Sequence, residues 1–158
     1  MKSRVVTLTV NGRRHEVALQ PNTTLLRALR GLGYTDVKNG CEKGDCGACA
    51  VLLNGRAVNS CLVLAWQVDG AKVITNAGLG SSDHPHPLQE SFADAGAAQC
   101  GYCTPGMTVS AKALLDRNPD PAEEEIREAI AGNLCRCTGY TQIIEAVQLA
   151  ARRMGGQE

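Results

Sequence analysis

Eight cysteines are the residues of this 158-residue chain whose type and spacing can do chemistry. They fall into two quartets. Cys41, Cys46 and Cys49 make a Cys-x4-Cys-x2-Cys run, and Cys61 follows after eleven intervening residues. Cys100-x2-Cys103 and Cys135-x-Cys137 make the second quartet. Four thiolates can hold zinc or an iron–sulfur cluster, and in an oxidising compartment they pair as disulfides instead.

In the first quartet one glycine-rich loop, Lys38 to Cys49, supplies three sulfurs and a neighbouring strand supplies the fourth, Cys61. That is the plant-type [2Fe–2S] spacing. Gly40, Gly44 and Gly47 permit the backbone angles and close approach by which N–H groups point at cluster sulfurs. Zinc fits less well, because its ligands usually come as two short Cys-x2–4-Cys pairs. The second quartet reads differently. Cys100 and Cys103 precede or open a helix, and Cys135 and Cys137 lie in the loop Gly132 to Gly139 between two helices. A disulfide between Cys135 and Cys137 is sterically awkward at that separation, and spacing alone leaves zinc and a cluster both open.

Stepping outward to what must hold these loops, Val6, Leu8 and Val10 alternate with Val5, Thr7 and Thr9, so Met1 to Val10 reads as a strand. Asn11-Gly12 is a tight-hairpin pair and Arg13 to Leu19 the return strand. Pro21-Asn22-Thr23 caps a helix from about Thr24, with Leu25, Leu29 and Leu32 on one face and an end near Gly31 or Gly33. Ala50 to Leu53, the turn Asn54-Gly55 and Ala57 to Leu62 predict a second hairpin, and Lys72 to Thr75 a closing strand.

Asn76 to Pro87, rich in Gly, Ser and Pro, reads as a linker. The pattern then turns helical. Leu88, Phe92 and Ala95 share a face; Thr104-Pro105 opens a helix striped with Met107, Ala111, Leu114 and Leu115. Asp120-Pro121 starts a third helix, with Glu123, Glu124 and Glu125 at its positive end and Ile126, Ala129 and Ile130 inward. A fourth runs from about Tyr140 through Ile143, Val147, Ala150 and Met154. The expected organisation is a cysteine-bearing α+β unit over 1–77, a linker over 78–87 and a helical unit over 88–158.

Only 3% of the chain is aromatic, and units this small usually need a metal or disulfide staple besides an apolar core. The formal charge is zero, with 16 basic and 16 acidic residues dispersed. No basic cluster suits nucleic acid, and no apolar run suits membrane insertion. The N-terminal segment lacks an apolar signal core, and Arg13-Arg14 is followed by polar residues, so a cytoplasmic location is expected.

KNGCEKGDCGAC (Lys38 to Cys49), QCGYCTPGM (Gln99 to Met107) and GNLCRCTGY (Gly132 to Tyr140) resemble the signatures of the small iron–sulfur subunits of molybdenum hydroxylases, the xanthine oxidase family. The resemblance spans nearly the whole chain, and all eight cysteines land on ligand positions. It implies a ferredoxin-like β-grasp domain followed by a four-helix-bundle domain, each with one [2Fe–2S] cluster. Cys100, Cys103, Cys135 and Cys137 would hold the cluster next to a molybdopterin cofactor in a large partner subunit. Cys41, Cys46, Cys49 and Cys61 would hold the one nearer FAD in a medium subunit. Gln99 and Cys137 would contact the pterin, and a dimer of heterotrimers would be the assembly. With no flavin or molybdenum domain in this sequence, a separate electron-transfer subunit is expected; a free-standing two-cluster ferredoxin that diffuses between partners is the alternative.

His84 and His86, flanked by Pro85 and Pro87, read as solvated linker residues, and His15 as structural. No Ser–His–Asp set or paired carboxylates suggest substrate chemistry, so no catalytic residue is assigned to this chain.

Overall fold

The computed structural model describes residues 2–156; Met1 and residues 157–158 of the expected units lie outside them. Two antiparallel strands begin the chain, β1 (Arg4–Val10) and β2 (Arg13–Leu19), paired from Val10↔Arg13 to Arg4↔Leu19. The turn between them has φ 49° at Asn11 and 80° at Gly12. Two successive positive φ angles match the strand twist, which is why an Asn-Gly pair sits there. Strands β3 (Ala50–Leu53), β4 (Arg56–Asn59) and β5 (Lys72–Ile74) complete a sheet ordered β2-β1-β5-β3-β4. β5 runs parallel to β1 and antiparallel to β3.

Helix α1 (Leu25–Gly31) lies across one face of the sheet. Thr24 caps it, its hydroxyl accepting from the Arg27 N–H at 3.3 Å. Leu25, Leu26 and Leu29 pack on Val6, Leu8 and Val10, and Val37, Val51, Val73, Cys49 and Cys61 belong to the same core. Each fully buried Leu there contributes about 1.5–3 kcal/mol. Two ligand candidates are thus part of a packed interior.

Four helices follow: α2 (Pro87–Asp94), α3 (Thr104–Leu115), α4 (Glu123–Ile130) and α5 (Thr141–Met154). Leu88, Phe92, Met107, Leu115, Ile126, Ile130, Ile143 and Val147 form one shared core. Helix α3 also covers the second face of the sheet, where Val109 and Ala113 meet Ala50 and Leu52. That explains why β3 is apolar at every position rather than alternating.

Several expectations need correction. The fourth strand stops at Asn59, and Cys61 sits in a single 3₁₀ turn, Ser60–Leu62, not in a strand. The last helix starts where expected, at Thr141, with Tyr140 before it at a left-handed φ of 72°. Met154 at its end is 40% exposed and adds nothing to the core. The segment after β5 is tied down: Thr108 Oγ1 donates to Asn76 Oδ1 at 2.6 Å and Gln89 Nε2 to Asn76 O at 2.9 Å. His84 is exposed as expected, but His86 is half-buried. Its Nδ1 accepts the Leu88 N–H (3.1 Å) while Gln89 Oε1 accepts the His86 N–H (2.9 Å), so it caps α2. His15 is structural, its Nε2 lying 2.8 Å from the Tyr34 hydroxyl.

Candidate metal centres

The first quartet is built by the loop entering β3 and the turn leaving β4. Cys49 and Cys61 are buried, while Cys41 and Cys46 are half-exposed. The backbone N–H of Lys43 points at Cys41 Sγ from 3.5 Å. That donor first, then the N–H of Cys46, with the Cys46 side chain and the N–H of Asp45 adding less, bring the Cys41 thiol down to about 6 against the opposing effect of burial. Burial, followed by the Cys49 side chain, pushes Cys61 up to about 11. Gly40 is dictated by contact: a Cβ there would stand 2.7 Å from Cys46 Sγ. Asn59 Nδ2 donates to Gly44 O (3.0 Å) and Ser60 Oγ to Cys49 O (2.7 Å), closing the loop onto the hairpin.

The second quartet comes from two helix–loop junctions. Cys103 is the residue before α3, and Cys135 and Cys137 lie between α4 and α5. Cys100 and Cys137 are exposed. Thr138 Oγ1 lies 3.2 Å from Cys135 Sγ, and the Cys135 N–H donates to the Tyr140 hydroxyl at 2.9 Å. Burial opposes ionisation of Cys135, but hydrogen bonds from Thr138, the Cys137 N–H and the Cys103 side chain outweigh it and bring the thiol to about 7. Burial pushes Cys103 up to about 12, with the Cys135 side chain adding to it. Cys137 is raised chiefly by the Cys100 side chain.

The sulfurs approach one another in pairs. Neighbouring thiols act on one another's ionisation, Cys46 on Cys41, Cys49 on Cys61, Cys135 on Cys103 and Cys100 on Cys137. Among the described residues no three His, Cys, Asp or Glu side chains gather tightly enough to share one ion. A mononuclear zinc site needs four sulfurs about a single point; a two-iron cluster takes two thiolates on each iron. The pairing of neighbouring cysteines in each quartet suits the two irons of such a cluster.

The two quartets are joined directly. The Leu134 N–H donates to Cys46 O at 2.9 Å. Asn133 Nδ2 donates to Gly47 O at 3.0 Å, while its Oδ1 accepts from Ser110 Oγ at 2.7 Å. The Tyr102 hydroxyl donates to Asn39 O at 2.6 Å. Gly47 has φ 67° and no room for a side chain, since a Cβ would lie 2.3 Å from Gly132 O. Sequence reasoning missed Asn133, Leu134 and Tyr102 as bridging residues; their only signal was adjacency to cysteines. Gln99 is exposed beside Cys100. Two grooves of ≈ 480 Å³ run along α3–α4 and between α2 and Arg153 of α5, with no cysteine in their linings.

Residues 8–77 match the family described as "2Fe-2S iron-sulfur cluster binding domain", and residues 75–148 match "[2Fe-2S] binding domain". The chain is 50% identical over 154 residues to the nicotinate dehydrogenase small FeS subunit of Eubacterium barkeri, covering 97% of this chain and 98% of that one. Quinoline 2-oxidoreductase from Pseudomonas putida 86 superposes with a TM-score of 0.91 at 40% identity, over the full length of both chains. The aldehyde oxidoreductase of Desulfovibrio desulfuricans superposes with a TM-score of 0.95 at 45% identity, this chain spanning 18% of that longer one. Fold and sites thus define a two-cluster iron–sulfur protein. The chain belongs to the small iron–sulfur subunits of the molybdenum hydroxylase family, an oxidoreductase component that carries electrons.

No helix among the described residues is long and apolar enough to cross a membrane.

Proposed function

We propose that this chain carries electrons out of a molybdopterin-bearing large subunit, through the helical quartet and then the ferredoxin-like quartet, to FAD in a medium subunit. The observation that carries this reading is the hydrogen bond from the Leu134 N–H to Cys46 O. Leu134 is covalently joined to Cys135, so one hydrogen bond and a short run of covalent bonds connect a thiolate of one quartet to a thiolate of the other. Each bound cluster supplies the capacity to accept and release one electron.

The chain's own residues supply position, insulation and electrostatics. Cys41, Cys46, Cys49 and Cys61 hold one cluster on a β-grasp domain over 1–77; Cys100, Cys103, Cys135 and Cys137 hold the other on a four-helix bundle over 88–158. Asn133 and Gly47 lock the two together. Cys100 and Cys137 are exposed, with Tyr102 at 47% and Leu134 at 56% beside them. This sulfur-bearing face, with its two exposed large apolar side chains, suits burial against the large subunit, where Gln99 and Cys137 reach the pterin. The opposite quartet serves the flavin side, and two such heterotrimers form the cytoplasmic assembly.

Relatives named for nicotinate and quinoline point to a partner acting on N-heteroaromatic compounds, while substrate selection belongs to that partner. A diffusing ferredoxin is the less favoured reading, because a shuttle gains from a strongly charged steering surface and this chain is neutral. Affinity purification of the tagged chain from its native host tests the choice: two larger subunits are expected to elute with it in equal amounts, and elution alone would overturn the subunit reading.

A further inference from the structure

Tyr102 stands between two ligands of the helical quartet, yet its hydroxyl reaches the other one. It donates to the carbonyl of Asn39 at 2.6 Å. That carbonyl belongs to the peptide whose N–H is carried by Gly40. Gly40 is pressed against Cys46, so closely that a Cβ would lie 2.7 Å from the Cys46 sulfur. A donor on the oxygen of an amide withdraws electron density across it and makes the N–H at the other end more positive. Positive N–H dipoles near ligand sulfurs favour the reduced cluster and raise its potential.

The loop has anchors besides Tyr102. Asn39 Nδ2 donates to Glu42 Oε1 at 2.8 Å, and Glu42 Oε2 accepts from Arg27 NH2 at 2.9 Å, which anchors the same segment to α1. Removing the hydroxyl therefore takes away a dipole and leaves the framework in place.

We propose that Tyr102, a residue of the helical side, is a positioning residue that holds up the reduction potential of the cluster in the Cys41, Cys46, Cys49 and Cys61 nest. The inference rests on that nest holding a [2Fe–2S] cluster. It gives the two halves an energetic link besides the electron path itself, since whatever covers Tyr102 also acts on the distant nest.

The test is Tyr102→Phe in the assembled complex, which keeps the ring and deletes only the hydroxyl. Anaerobic redox titration followed by EPR resolves the two reduced-cluster signals, and Cys46→Ser identifies which one belongs to the ferredoxin-like nest. The expected result is a more negative midpoint for that signal with the other unmoved. An unchanged midpoint, or a shift as large or larger in the helical-quartet signal, overturns the proposal. A wild-type complex with only one cluster signal overturns the two-cluster reading beneath it, and the proposal with it.

Discussion

The two cysteine quartets solve one problem in different ways. In the ferredoxin-like quartet three cysteines come from one loop, and two of the four, Cys49 and Cys61, are buried in the core beneath α1. In the helical quartet the cysteines come from two junctions separated by α3 and α4, and two of the four, Cys100 and Cys137, are exposed. The first is a nest closed by its own chain; the second is an open rim. The rim leaves two sulfurs for a partner to cover, while the nest buries two of its four and keeps Cys41 and Cys46 half-exposed. The closed nest draws chiefly on backbone N–H groups of its loop, as at Cys41; the open one adds a side-chain hydroxyl, that of Thr138, to the backbone N–H groups acting on Cys135.

Breaking one nest at a time gives the largest effects. In the complex, Cys103→Ser is expected to stop electron flow from substrate to every downstream acceptor. Cys46→Ser should leave the helical-quartet cluster reducible by substrate while blocking flavin reduction, as read by rapid-mixing spectroscopy. Full-rate flavin reduction in the Cys46 variant would reverse the assigned order.

The contact between the nests is the next target. Gly47→Ala combines left-handed backbone strain with a clash against the fixed carbonyl of Gly132, and should cost about 3 kcal/mol. Gly12→Ala shares a positive φ of 80° but has open space around it, so it should cost only about 1 kcal/mol. Thermal unfolding midpoints of the two cluster-loaded variants compare them directly, and equal shifts would mean that the nests are not tightly docked. Asn133→Ala leaves Gly47 O and Ser110 Oγ without their buried partner and should cost about 2 kcal/mol.

The smallest effect concerns pH at the junction of the two halves. Burial, and then the Lys112 ammonium, lower His86 below 6.5, with Asp116 opposing them. The unfolded chain therefore takes up this proton before the folded one does. Stability from this group is complete above pH 6.5 and declines as pH falls through the lowered folded value. His86→Asn keeps an acceptor for the Leu88 N–H and should flatten that decline, measured as the wild-type-minus-variant difference in urea midpoint across the range.

How much of this was legible in the sequence differs between the same two regions. Cys41 to Cys49 could be read as part of a cluster-binding domain because a run of three cysteines carries its geometry in its own spacing, and the Asn11-Gly12 turn and β3 came out for equally local reasons. The helical quartet could not be read from spacing, since α3 and α4 decide where Cys103 meets Cys135; only family signatures pointed to a cluster there. Cys61 was misplaced onto a strand because apolar residues continue past Asn59, where the chain turns to bring the sulfur inward. His86 looked like linker, because a cap is defined by what the backbone after it does. Asn133 and Tyr102 act across the junction between halves, and no periodicity records a contact 63 or 86 residues away.

Metal content of the intact complex bears most directly on the two nests. Two [2Fe–2S] clusters require about four iron and about four acid-labile sulfide per copy of this chain, beyond any contributed by partners, with two distinct EPR signals on reduction. About two iron per chain, or zinc in the Cys100, Cys103, Cys135 and Cys137 quartet, would contradict the relay.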